Sequence, residues 1–197
     1  MKHLSHEERR KRIVHGAMEA FARWGFRGTR SRDLAKAAGV SEALIFKHFP
    51  NKRAIQKAII EERIRQTGQF ISAELREAPL DRALEAIAVR ILQGSERDPS
   101  FLRLLYFAGL ESEPLAPMFF KRRVSQSIDE LAELYRVWAR RGWVRKSIDA
   151  RMFAWSFMSC VFQLVAVRSI FSVKRMSDHR GSLAANVSAL FLQGIRS

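Results

Sequence analysis

The residues with the clearest chemistry lie in one segment near the N-terminus. The run TRSRDLAKAAGVSEALIFKHF, residues 29–49, interleaves Arg30, Arg32, Lys36 and Lys47 with short apolar pairs and ends on His48 and Phe49. Lys52 follows just beyond it. Ammonium and guanidinium groups at this density neutralise phosphates, and an arginine can also make paired hydrogen bonds to a base edge. Bond-making chemistry has no comparable foothold. His3, His6 and His15 lie in or near the first helix, His48 sits in the basic segment, and His179 falls in a polar connection. None is spaced to act with a nucleophile or to complete a metal site, so neither catalysis nor a metal is expected. There is no Gly-rich phosphate loop, and no cofactor is implied. Cys160 is the single cysteine and sits in an apolar run, which reads as core and fits a reducing cytoplasm.

The elements that must hold these residues are helical. Ser5 and Glu8 have capping-box spacing and start a helix with Ile13, Val14, Ala17, Met18, Phe21 and Ala22 on its apolar face, ending at Gly25. A short helix follows Thr29, passes Leu34 and Ala35 and stops at Gly39. Ser41 caps a third, EALIFKH, which ends at Phe49-Pro50. Asn51 caps a fourth, which is expected to carry Ile55, Ile59, Ile64, Phe70, Ile71 and Leu75 and to run as far as Glu77 before Pro79. Phe21, Trp24, Phe26 and Phe49 are assigned to the small core that holds these helices. The second and third helices, joined through Ala38-Gly39-Val40, have the form of a helix-turn-helix, whose second helix enters the major groove. An ordinary helical hairpin shares that turn, and the four basic residues then form only a solvated face.

The whole chain supports a polyanionic partner. Its 197 residues carry 35 Lys+Arg against 20 Asp+Glu, a formal net charge of +15. Residues 1–60 hold 14 basic and 5 acidic side chains, more than half of that excess. Hydrophobic residues make up 47%, enough for a packed core and too many for a disordered chain. The N-terminal MKHLSHEERRKR lacks the apolar stretch of a signal peptide. The longest uncharged run, Met152 to Val167, is 16 residues and falls short of the ~20 that span a bilayer, so it is expected to be a buried helix and no membrane partner is expected. Helical spacing continues over residues 80–95, 99–111, 115–141, 148–171 and 181–195. The expected fold is therefore all-α, with residues 1–52 as a helix-turn-helix DNA-binding domain and 53–197 as a larger helical domain.

Residues 8–60 resemble the tetracycline-repressor (TetR/AcrR) family of bacterial transcriptional regulators, on the pattern FARWGFRGT, then RDLAKAAGVSEALIFKHFPNK, then an amphipathic helix from Ala54. The resemblance implies that Thr29 begins the second helix facing phosphate and that Arg32 reaches a base edge, with Arg30 beside them. Ser41 to Lys47 match the recognition helix, and Glu42, Ala43, Leu44 and Lys47 face the groove. His48 and Lys52 match positions that meet phosphate. Phe46 departs from the family's usual tyrosine and loses a hydroxyl, leaving only apolar packing on the backbone or a thymine methyl. Ser41 and Asn51 are helix caps whether or not DNA is present.

Between Phe101 and Phe171 lie 13 of the 20 aromatic residues, and these must be buried somewhere. The resemblance implies a cavity for a small apolar or aromatic effector, with walls from Tyr106, Phe107, Phe119, Trp138, Trp155, Met158 and Phe162. Arg103 or Gln163 is available to orient a polar end. An aromatic core without a void is the plain alternative. In the final helix Leu183, Ala184, Val187, Leu190, Phe191 and Ile195 form a stripe more apolar than a monomer's outer helix should carry. In the family this helix and the one before it pair with their copies in a dimer, and Leu183, Val187, Leu190 and Phe191 are the interface candidates. The implied function is a homodimeric repressor of a palindromic operator, released by its effector. A nucleoid-type DNA-binding protein without ligand control is the rival reading.

Overall fold

The protein is described here from a computed structural model covering residues 5–66, 68–96, 98–171, 173 and 180–196. The described residues are helical with no strand; Val144 and Arg196 form an isolated antiparallel bridge. In chain order the helices are α1 (His6–Gly28), α2 (Ser31–Ala38), α3 (Glu42–His48), α4 (Lys52–Gln66), α5 (Ala73–Glu77), α6 (Leu80–Glu96), α7 (Pro99–Leu110), α8 (Leu115–Phe119), α9 (Ser125–Arg140), α10 (Ala150–Ser169) and α11 (Arg180–Ile195). His3 and His179 lie outside the described residues.

Local capping accounts for most helix starts. The Ser5 hydroxyl accepts from the Glu8 amide while the Glu8 carboxylate accepts from the Ser5 amide, closing the expected capping box. Asn51 accepts from Ala54 N at 2.9 Å, and Asp149 accepts from Met152 N at 2.7 Å to start α10. Two expected helices are broken in the structure. The fourth stops at Gln66 instead of reaching Glu77, because Ser72 starts a new helix by accepting from Leu75 N, while Phe70 and Ile71 turn into the core. The span 115–141 divides into α8, a π-helical turn at Phe120–Val124 and α9.

The chain forms two compact units that are not simple halves of the sequence. The first joins Met1–Gly68 with Ser100–Arg122, so α7 and α8 pack with the N-terminal helices. Its core includes Ile13, Ala17, Phe21, Leu34, Ile45, Ile55 and Ile59. The second unit comprises Gln69–Pro99 and Arg123–Ser197. There α6, α9 and α10 pack together and α11 lies on α6, around Leu84, Ile87, Leu131, Tyr135, Trp138 and Phe157. Among the described residues one helix, α10, is long and apolar enough to cross a membrane by length and composition. Its Phe153, Ala154, Phe157, Val161 and Val165 are buried within the second unit.

Candidate nucleic-acid interface

The site is built on α2, the turn at Gly39 and α3. Gly39 takes φ +62°, the left-handed conformation that closes α2 and reverses the chain in three residues. The Ser41 hydroxyl then accepts from Leu44 N at 3.2 Å and starts α3. This short helix has one deep anchor, the fully buried Ile45, with Phe49 buried directly behind it. Ser41, Glu42, Ala43, Phe46 and Lys47 are exposed and Leu44 is half-buried, so a contiguous N-terminal face is left in solvent. Arg30 and Arg32 are also exposed, at the start of α2. The structure thus brings together nine of the sequence candidates: Arg30, Arg32, Ser41, Glu42, Ala43, Leu44, Phe46, Lys47 and His48.

Thr29 does not face outward. It is 1% exposed, and its hydroxyl donates to the carbonyl of Gly25 at 2.6 Å and of Ala20 at 3.3 Å. Lys52 is likewise engaged inside the protein. Its Nζ donates to the carbonyls of Phe26 at 2.9 Å and Thr29 at 2.8 Å and lies 4.6 Å from the centre of the Phe26 ring. Both residues hold the last turn of α1, and the buried Thr29 hydroxyl does so in place of the phosphate contact expected from sequence. Trp24 also departs from its expected core position. It is 43% exposed, with the Arg23 guanidinium 4.9 Å above its ring.

This geometry separates Lys52 from Arg32 by experiment. Arg32→Ala should remove base discrimination of about 1–3 kcal/mol and flatten preference at one base pair per half-site. Lys52→Ala should lower the melting temperature and weaken all DNA alike. Because its ammonium is engaged by the Phe26 and Thr29 carbonyls, it should leave the slope of log K against log salt unchanged. A slope shallower by about 0.9 per subunit would return Lys52 to the phosphate contacts.

His48 closes the site on the α1 side. Its ring centroid lies 4.2 Å from that of His6, and its Nδ1 is buried without a hydrogen-bond partner. Burial, followed by the positive charges of His6, Arg9, Lys47 and Arg10, holds the His48 pKa below the ordinary imidazole value. Folding therefore favours neutral His48, and its contribution to stability falls as pH drops through the ordinary imidazole range, where the unfolded chain takes up the proton first. A nearby phosphate acts oppositely by favouring the imidazolium. DNA affinity should therefore rise as pH is lowered from 8 to 6 while the free protein loses stability. His48→Gln should weaken the pH dependence of both, as read by fluorescence anisotropy and thermal melting.

The effector-wall candidates are divided between the two units. In the first, Phe119 is buried edge-to-face against Phe101 at 5.0 Å, Phe107 is half-buried and Tyr106 is 41% exposed. In the second, Trp138 and Met158 are buried, Phe162 is half-buried and Trp155 is 38% exposed. The Trp138 Nε1 is buried without a hydrogen-bond acceptor. A cleft of about 480 Å³ in the second unit is lined by Glu77, Pro79, Leu80, Asp81, Trp143 and Arg196, none of them among the candidates. Of the α11 stripe, Val187 is buried, Leu183 is half-buried and Leu190 is 69% exposed. Phe191 packs edge-on against Phe157 at 5.1 Å and Phe153 at 6.0 Å. Val187 and Phe191 thus contact their own unit, and Leu190 is the interface candidate left most open to solvent.

Two residues invisible to the sequence motif shape this site. Gly16 in α1 lets the backbone of α2 approach closely at Ala37 and Ala38. Glu111, beyond α7, accepts hydrogen bonds from the amides of Phe26 and Arg27. A mid-helix glycine was the only signal for the first, and sequence spacing offered none for the second.

Residues 13–59 match the family of bacterial regulatory proteins described as tetR. The HTH-type transcriptional regulator YvkB of Bacillus subtilis is 26% identical over 189 residues, covering 94% of this chain and 96% of that protein. RutR of Escherichia coli, also an HTH-type transcriptional regulator, is 30% identical over 139 residues, 68% of this chain and 63% of RutR. Among solved structures, the transcriptional regulator FadR of Bacillus subtilis, in complex with stearoyl-CoA, superposes with a TM-score of 0.74 at 19% identity, covering 94% of this chain and 99% of that one. Its likeness concerns the fold.

Proposed function

Starting from the membership of this chain in the tetR family of bacterial transcriptional regulators, we propose that it is a cytoplasmic, ligand-responsive repressor that binds a palindromic operator as a homodimer. Residues 1–52 serve as the DNA-binding domain and 53–197 as the effector-binding and dimerisation domain. The observation that carries this reading is α3, which buries Ile45 and leaves its N-terminal face, with Lys47 and the neighbouring Arg30 and Arg32, open to a groove. Arg32, Glu42, Ala43, Leu44 and Lys47 read bases, Phe46 packs on a thymine methyl or the sugar, and Arg30, Ser41 and His48 meet the backbone.

One recognition helix of this length reads few bases, so a two-fold dimer is needed to double the site. The exposed Leu190 of α11 and Met152 and Trp155 of α10 are the surface for that pairing. The effector is a small apolar or aromatic molecule, for which the acyl chain of the stearoyl-CoA held by the FadR neighbour is a partial precedent. Trp138 supports an effector with a hydrogen-bond acceptor, since its buried indole N–H has no partner. Trp138→Phe should therefore change the melting temperature of the free protein little, because loss of an orphan donor worth about 1–3 kcal/mol offsets the cavity left by the smaller ring. A clear fall would assign Trp138 to packing alone.

Selection of duplexes from a random pool, followed by footprinting, tests the DNA reading. The expected result is an enriched palindrome whose half-site centres lie about 34 Å apart, one helical turn, or a multiple of it. Equal binding to every sequence at fixed salt would favour the nucleoid-type alternative.

A further inference from the structure

We propose that Glu111, in the α7–α8 loop, is a positioning residue for DNA recognition, an inference that rests on α3 being the helix that meets DNA. The starting point is a break in α1. Gly25 has φ +69° and ψ 176°, so the chain leaves the helix there and Phe26 begins a new turn whose first amides have lost their helical acceptors. The Glu111 carboxylate supplies them from 85 residues away: Phe26 N donates to Oε2 at 2.7 Å and Arg27 N to Oε1 at 3.3 Å. The Arg27 guanidinium returns a hydrogen bond to the Glu111 carbonyl at 3.1 Å. A Cβ on Gly25 would lie 2.5 Å from that carboxylate, so glycine is needed both for the backbone angle and for the approach.

The other end of the same turn is held by the opposite charge. Lys52, the first residue of α4, donates to the carbonyls of Phe26 and Thr29, and the Thr29 hydroxyl donates back to Gly25 O. A carboxylate at the amide end and an ammonium at the carbonyl end match the dipole of the turn between them. This turn leads directly into α2, while Lys52 begins the helix that leaves α3. It is therefore the shared mount of both sides of the helix-turn-helix. The loop that presents Glu111 is itself constrained. Ser112 is a non-glycine residue at φ +57°, and Glu113 beside it is buried with its carboxylate 3.9 Å from Arg53 of α4. All of these groups belong to the first unit.

The inference makes a prediction opposite in sign to that of charge alone. Removing a carboxylate from a unit that meets phosphate should tighten DNA binding if electrostatics were its only effect. If Glu111 sets the mount of α2 and α3, Glu111→Ala instead loses about tenfold in affinity for the selected operator, a factor set by RT ln 10. Affinity for random duplex and the salt slope remain unchanged or rise slightly. Glu111→Gln, which loses the charge but keeps one acceptor oxygen, should fall between wild type and Glu111→Ala. Amide exchange at Phe26 and Arg27 should accelerate in Glu111→Ala. The experiment measures all three proteins on the operator chosen by wild type from random duplexes and on an unselected duplex, well below their melting temperatures. Equal or tighter operator binding by Glu111→Ala overturns the inference. So does parallel loss on both duplexes, which marks a general structural defect. Failure of wild type to select any duplex overturns the DNA reading itself, and this inference with it.

Discussion

Gly16→Ala is expected to disable the DNA-binding unit, although alanine is the better helix former. A methyl at this position would lie 2.6 Å from the Cα and N of Ala38 and 2.7 Å from the carbonyl carbon of Ala37. These are backbone atoms of the last turn of α2, flanked by the fully buried Ile13 and Ala17 on α1, and they have no rotamer by which to yield. The ~1 kcal/mol gained by replacing glycine within a helix is outweighed by overpacking, which costs about 1–3 kcal/mol and more where backbone must move. Relief requires α2 to slide off α1, and the turn at Gly39 with α3 must follow. The melting temperature should fall by several degrees, and operator binding should drop to the level of unselected DNA. Wild-type melting together with wild-type operator affinity would show that the two helices can separate without cost and would contradict the close approach.

The second large effect concerns the proposed dimer. Substitution of Val187 or Phe191 by glutamate is a poor test of it, since Val187 is buried and Phe191 packs on Phe153 and Phe157, so that loss of folding and loss of the dimer would not be told apart. Met152 and Leu190 are 64% and 69% exposed, so glutamates there cost a free chain almost nothing. Across a largely apolar interface each would bury an unpaired carboxylate, at a cost of several kcal/mol per group. Met152→Glu with Leu190→Glu should therefore give a folded monomer by light scattering, with wild-type helicity. Operator affinity should fall by orders of magnitude as the second half-site is lost. A dimer that persists in this variant would move the interface elsewhere and remove α10 and α11 from that role.

Local interactions explain why so much could be anticipated. Capping by Ser5, Ser41 and Asn51, the turn at Gly39 and the apolar repeat of α1 are each settled within a few residues, and each occurs where the sequence placed it. The exposed face of α3 follows from its length, since a seven-residue helix anchored by Ile45 has little else to hide. Hydrophobic periodicity was a weaker guide beyond Gln66. A repeat that continues through Phe70, Ile71 and Leu75 suits one long helix as well as two short ones, and Ser72 decided for two by capping the second.

What the chain by itself determined was thus its all-helical class, the helix-turn-helix and the concentration of positive charge upon it, because caps, turns and helical spacing act over three or four residues. Tertiary structure alone decided which polar groups remain free for a partner. Thr29 and Lys52 have the chemistry of phosphate ligands, yet backbone carbonyls of the broken α1 turn take the Thr29 hydroxyl and two of the three Lys52 donors first. Glu111 meets that turn only because α7 and α8 return to the first unit. The physical reason is competition: a side chain's type sets what it can bind, whereas the neighbours brought beside it by folding set whether any of that capacity is left.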